Sequence, residues 1–186
     1  DNHCTFCAIP EMQGPYRSRE MADILQETAQ LADRGVKELI VIAQDITTYG
    51  LDLYGQFALP ELLKKLCAIS GIEWIRLLYA YPNHLSDELI DVIAQEDKIC
   101  KYIDMPLQHA DDSILKTMNR QITQKEIRSL IGKMRERIPG LMIRSTFIVG
   151  FPGETEDAYK NLLHFLEDMK LDRVGVFPYS QEENTP

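Results

Sequence analysis

Apolar residues along this chain follow two alternating spacings, which together predict a regular succession of strands and helices. Continuous β-branched or apolar runs are typical of buried parallel strands, and they lie at 38–43, 74–79, 101–105, 141–149 and 173–177. Between them, apolar residues recur at helical spacing and predict amphipathic helices, at 19–34, 60–66, from 86 onward, and at 112–118, 123–137 and 156–170. Strands and helices that alternate over short links form a parallel sheet with right-handed crossovers.

The sequence therefore predicts an α/β fold, with one more strand, truncated in this sequence, leading into the first polar loop. Six such strands with helices outside would make an open, partial TIM-like (β/α)6 barrel. A doubly wound open sheet is the alternative, since the pattern does not give the order of the strands. That alternative lacks its usual mark, because no Gly-x-Gly-x-x-Gly segment follows a predicted strand.

Composition narrows the class of protein. The 186 residues are enough for one domain with a substantial core, and no apolar run is long enough to span a membrane. Four cysteines without a leader sequence predict a reducing, cytoplasmic setting instead of a disulfide scaffold. The net charge of −9 argues against strong nucleic-acid binding by this segment and fits a basic protein partner better.

Two of the four cysteines, Cys4 and Cys7, form a Cys-x-x-Cys pair in a polar loop. Thiolates at this spacing suit zinc, an iron–sulfur cluster or a dithiol redox couple. Two thiolates complete no common metal site, which leaves either redox chemistry or further ligands. A cysteine directly before Asp1 would give Cys-x-x-x-Cys-x-x-Cys, a spacing that suits a [4Fe–4S] cluster. A zinc half-site or a surface redox pair, on a non-enzymatic module, is the alternative.

Polar or conformationally special residues follow the predicted strands. Because the carboxyl ends of parallel strands meet at one edge of a sheet, they predict an active site on the same rim as the cysteines. These residues lie at 44–45, 81–84, 106–109, 150–155 and 178–180. Arg144 lies within a predicted strand, where an unpaired guanidinium would be costly, so we expect it to point into the barrel toward a carboxylate.

Distinctive segments extend over essentially the whole chain, at 4–10 with 14–19, 42–45 with 49–54, 103–109, 146–155 and 179–183. They resemble the radical S-adenosylmethionine (radical SAM) methylthiotransferases, and among them the branch that modifies ribosomal proteins. The tRNA-modifying branch typically carries Gly-Gln-Asn where this chain has Ala43-Gln44-Asp45. A tRNA adenosine methylthiotransferase is accordingly the alternative within the family.

The resemblance implies that residues 1–186 are a radical SAM core domain from a three-part protein. An amino-terminal domain would bind a second [4Fe–4S] cluster, and a carboxyl-terminal TRAM domain would help bind the target. Cys4 and Cys7 would hold the SAM-binding cluster with a third cysteine outside this sequence, so the segment alone is expected to be inactive. The residues implied around SAM are Phe6, Gln44, Asp45, Gln108, Arg144, Gly150, Phe151, Glu154, Val176 and Phe177. The residues implied on the substrate side are Arg17, Arg19, Tyr81 and His109.

The resemblance also implies the reaction and its partners. A 5′-deoxyadenosyl radical, formed by reductive cleavage of SAM, would remove hydrogen from the β-carbon of an aspartate. That aspartate would belong to a small-subunit ribosomal protein of the decoding centre, and a methylated sulfur would then be inserted there. An electron donor such as flavodoxin or ferredoxin would supply the electron.

Overall fold

The computed structural model describes residues 2–183 and 185. The helices are α1 (Ile9–Gln13), α2 (Met21–Asp33), α3 (Leu51–Tyr54), α4 (Leu59–Cys67), α5 (Asp87–Gln95), α6 (Asp112–Thr117), α7 (Gln124–Arg137) and α8 (Glu156–Met169). The strands are β1 (Glu38–Ile42), β2 (Trp74–Leu78), β3 (Ile99–Asp104), β4 (Met142–Val149) and β5 (Arg173–Pro178). Short 3₁₀ turns lie at Ile46–Thr48 and Pro82–His84.

The five strands form one parallel sheet whose spatial order is the chain order, β1-β2-β3-β4-β5. A doubly wound sheet reverses direction at a switch point, so this order rules that alternative out for the described strands. Crossovers of one hand in one direction put the connecting helices α4, α5, α7 and α8 on the same face and curve the sheet. The α/β fold, with an open, partial TIM-like barrel, is therefore confirmed. The predicted truncated strand lies outside the described residues.

Successive side chains along each strand point alternately to a helix-covered face of the sheet and to an open, concave face. Ile75, Ile143 and Phe147 are fully buried under the helices, whereas Arg144 and Thr146, their neighbours on β4, are only half-buried. The prediction of strands buried on both faces is wrong for β1, where Ile40 and Ile42 are 52% and 60% exposed. The reason is that no second layer covers the concave side, so this side is free to form a cleft.

Two short helices form where the sequence predicted loops. Helix α1 follows the cysteine pair, and α3 lies within the predicted loop 44–56, opened by Gly50 and closed by Gly55, both with positive φ. A Cβ at Gly50 would come within 2.6 Å of the Ala58 Cβ, so the turn before α3 requires glycine there. Across the described residues, every helix is too short or too polar to cross a bilayer.

Candidate active site

A cleft of about 1370 Å³ opens at the carboxyl ends of the strands, and the cysteine loop forms one of its walls. Eight of the residues predicted around SAM, the cluster or the substrate line it: Cys4, Phe6, Cys7, Gln44, Asp45, Tyr81, Gln108 and Phe177. The parallel sheet brings them together, because they follow β1, β2 and β3, lie near the end of β5, or belong to the cysteine loop. The shared rim expected from the sequence is therefore present.

The cysteine loop turns back on itself, and both of its cysteines line the cleft. The Cys7 N–H donates to the Cys4 carbonyl at 3.2 Å, and both cysteines are free and half-buried. In the part of the chain that the structure describes, no group of three His, Cys, Asp or Glu side chains is arranged to hold a metal. The pair fits an iron–sulfur cluster as two thiolate donors that need at least one more ligand.

Polar contacts on one side and aromatic contacts on the other hold this loop. The Asn119 amide donates to the His3 carbonyl at 2.7 Å, and the Thr5 N–H donates to the Met118 carbonyl at 3.2 Å. On the other side, Phe6 packs edge-on against Phe151 with ring centroids 6.4 Å apart. The link between α6 and α7 is thus the platform of the cysteine loop.

Gln108 enters the cleft from a backbone in the left-handed region, with φ of 72°. Its N–H donates to the Thr146 carbonyl and its carbonyl accepts from the Ile148 N–H, both at 2.8 Å. Tyr79 lines the same cleft with φ of 62°, and sequence reasoning missed it. Non-glycine residues in this region cost about 1–3 kcal/mol each and cluster at functional sites, which supports this rim as the active one.

Asp45, which follows β1, is 5% exposed, and its carboxylate is contacted by three residues. Its carboxylate accepts from the Thr47 N–H at 3.0 Å and the Asn2 amide at 2.9 Å, and it contacts His84 Nδ1 at 3.0 Å. Burial acts to raise the pKa of Asp45, but the hydrogen bonds from His84, Thr47 and Asn2 outweigh it and hold this pKa below its ordinary value. The carboxylate therefore stays charged and organises the rim.

We expect Asp45→Asn to lower the free energy of unfolding by about 1–3 kcal/mol at neutral pH, because buried donors lose an ionised acceptor. The folded-state pKa lies below the ordinary value of 3.8. The contribution of the carboxylate is thus fully present above 3.8 and is lost as pH falls through the folded pKa. Urea unfolding of the wild type and of Asp45→Asn between pH 3 and 7 measures the difference in free energy of unfolding.

The matched control for that measurement is Asp97→Asn, at an exposed residue between α5 and β3. We expect it to change the free energy of unfolding by less than about 0.5 kcal/mol at every pH. A difference between wild type and Asp45→Asn that is independent of pH down to 3 would contradict the charged state of Asp45.

Glu154 and His109 lie beside the cleft and do not line it. The imidazole is fully buried, its Nδ1 accepts from the Asp111 N–H at 2.9 Å, and its Nε2 therefore donates to the Glu154 carboxylate at 3.0 Å. The other Glu154 oxygen accepts from the Gly150 N–H. This differs from the predicted substrate contact of His109, because the imidazole supports Glu154, which in turn shapes the turn that begins at Gly150.

Arg144 lies on the concave face below the cleft, where its Nη1 contacts Asp104 Oδ1 at 2.7 Å. The hydrogen bond and charge of Asp104 raise the pKa of Arg144. The other Asp104 oxygen accepts from the Tyr79 N–H at 3.2 Å. The predicted carboxylate partner thus exists within the fold as Asp104, and the pair supports the left-handed Tyr79.

The remaining predicted residues lie outside this cleft. Phe151 is buried between Phe6 and Tyr179, and Val176 pairs in register with the helix-facing Phe147 and so lies on the opposite side from Phe177. Arg17 and Arg19 line a second cleft of about 440 Å³ between α2 and β1. Arg19 forms an exposed ion pair with Glu27 at 2.6 Å.

The sequence profile of the radical SAM superfamily matches residues 1–166. The chain is 58% identical over its whole length to "Ribosomal protein uS12 methylthiotransferase RimO" of Alkaliphilus oremlandii, and 55% identical to the protein of that name in Heliobacterium modesticaldum. It spans 42% and 40% of those two proteins, which is less than half of their length.

Solved structures with low sequence identity share the fold. Methylornithine synthase (PylB) superposes on all of this chain with a TM-score of 0.67 at 15% identity, over 52% of its own length. Streptococcus suis SuiB, crystallised with its precursor peptide SuiA, covers 95% of the chain with a TM-score of 0.65 at 18% identity, over 36% of its own length. At such identities these likenesses support the fold alone.

Proposed function

The chain belongs to the radical SAM superfamily, and we propose that it is the catalytic core of a methylthiotransferase acting on ribosomal protein uS12. That family uses a [4Fe–4S] cluster and SAM as cofactors. Relatives that are 53–58% identical over at least 99% of the chain carry this activity in their names. The observation that carries the proposal is the pair of free cysteines, Cys4 and Cys7, that line the cleft at the carboxyl edge of the sheet.

In this proposal, Cys4 and Cys7 supply two thiolates of the cluster-binding set, and a cysteine outside residues 1–186 supplies a third. When bound, the cluster would supply the electron for reductive cleavage of SAM. Gln44, Gln108 and Phe177, which line the cleft, would surround the cofactor. The ionised Asp45 would keep these groups in place, because it links Asn2 of the cysteine loop to His84, which stacks on Tyr81.

The substrate of this proposal is a basic ribosomal protein, and charge supports it. The chain carries a net charge of −9, and the cleft itself is lined by the carboxylates of Asp45, Asp52 and Glu182. Opposite charges on enzyme and substrate speed the encounter of the two.

The proposed target atom is the β-carbon of an aspartate in uS12, modified in the cytoplasm. The proposed electron donor is a flavodoxin or ferredoxin, and an amino-terminal domain with a second cluster would provide the sulfur.

The test uses the full-length protein, reconstituted anaerobically with iron and sulfide and then supplied with dithionite and SAM. We expect 5′-deoxyadenosine, and a mass gain on uS12 in which one methylthio group replaces one hydrogen. Unmodified tRNA is the parallel substrate. Methylthiolation of tRNA with uS12 unchanged would favour the tRNA alternative. Bound zinc without SAM cleavage would favour the non-enzymatic module.

A further inference from the structure

Arg120 is a buried cation in the active-site cleft to which the sequence reasoning assigned no role. It lies in the link between α6 and α7, where its N–H donates to the Leu115 carbonyl at 2.8 Å. Its side chain lines the cleft, although the residue is only 7% exposed. The structure thus holds a guanidinium beside the cysteine loop with little contact with water.

The guanidinium contacts three separate walls of the cleft. Nη1 lies 3.5 Å from the Cys4 sulfur, Nη2 donates to the Pro106 carbonyl, and the guanidinium carbon lies 4.3 Å above the Tyr81 ring. The Nε–H is buried and has no hydrogen-bond partner among the described residues. One donor therefore points at a cysteine sulfur, and another has no acceptor.

Charge makes this arrangement unusual. A buried guanidinium normally pairs with a carboxylate, because an uncompensated buried charge is costly. Arg144 has such a partner in Asp104, whereas the ion pairs among residues 2–183 and 185 do not include Arg120. Among the contacts of its guanidinium, the group that would become anionic as a metal ligand is the Cys4 sulfur.

We propose that Arg120 is a positioning residue that raises the reduction potential of the cluster ligated by Cys4, which rests on the function proposed above. A hydrogen bond to a ligating sulfur and a nearby positive charge both stabilise a cluster that has gained one negative charge. The step is one electron from dithionite, or from a flavodoxin or ferredoxin, to the cluster.

The test compares Arg120→Lys with Arg120→Gln in the reconstituted full-length protein. Iron content is measured first, and then a redox titration follows the electron paramagnetic resonance signal that responds to added SAM. At a fixed potential we expect Arg120→Gln to lower the ratio of reduced to oxidised cluster at least tenfold, which is 59 mV for one electron. Arg120→Lys keeps the charge and should recover most of that loss.

The matched control is Arg128→Gln, because Arg128 also lies over an aromatic ring, Phe165, at 5.1 Å but outside the cleft. We expect its titration to coincide with that of the wild type. Equal potentials for Arg120→Lys and Arg120→Gln would overturn the inference. So would loss of iron from both with unchanged circular dichroism, which would make Arg120 only a brace for the loop. A wild-type protein that binds no cluster would instead overturn the proposed function.

Discussion

We expect Cys7→Ala to abolish SAM cleavage by the full-length protein. Cys4 and Cys7 both line the cleft, and the hydrogen bond from the Cys7 N–H to the Cys4 carbonyl closes the loop between them. Removing one thiolate from this set leaves an iron without its ligand, and the described residues provide no replacement cluster of ligands. The measurement is 5′-deoxyadenosine by chromatography after reduction, alongside iron and sulfide content.

The matched control is Cys67→Ala, at the end of α4. Burial, reinforced by the nearby Glu96 carboxylate, raises the pKa of the Cys67 thiol to about 11, so this cysteine is protonated at neutral pH and is a poor ligand. It lies outside the cleft. We expect wild-type SAM cleavage from Cys67→Ala, and deoxyadenosine production by Cys7→Ala would refute the assignment of the cysteine loop.

Phe147→Ala should lower the free energy of unfolding by about 3–5 kcal/mol, the usual cost of deleting a buried aromatic ring. Phe147 is fully buried on the helix-covered face of β4 and packs against Phe165 with ring centroids 6.3 Å apart. Urea unfolding monitored by circular dichroism gives the difference.

Phe177→Ala, on the next strand, should affect SAM binding more than stability. Phe177 is 58% exposed and lines the cleft, so we expect a change of less than about 0.5 kcal/mol in unfolding. We expect SAM binding to weaken roughly tenfold, or about 1.4 kcal/mol, if the ring packs on the cofactor. Equal stability losses in both variants would contradict the two-faced description of β4 and β5.

Much of the fold could be predicted from the sequence, because the strands are strongly periodic and the carboxyl-end rule needs only their approximate ends. The cleft-facing position of Cys4, Gln44 and Gln108 follows from that rule. The side on which Val176 and Phe177 lie does not follow from it, since it depends on the register of β5 against β4. A shift of one residue would exchange them.

Arg120 and Tyr79 could not be found by the same reasoning. Arg120 lies in a link between two helices, a place that the strand-end rule does not examine, and its approach to Cys4 depends on how α6 packs under the cysteine loop. The left-handed backbone of Tyr79 has no sequence signal, because the residue is neither Gly nor Asn. Asp104 could be identified as the partner of Arg144 only from the pairing of β3 with β4, which sets the two residues side by side.

The sheet has a consequence for handling this segment by itself. Among the described residues, β1 and β5 each have one neighbour, and both carry exposed apolar side chains, Ile40 and Ile42 on one and Val174 and Val176 on the other. Edge strands of this kind are templates for strand addition between molecules. We therefore expect the isolated segment to aggregate through β1 and β5 unless another part of the protein covers them. Such aggregation during purification would come from these two edges and not from an unfolded core.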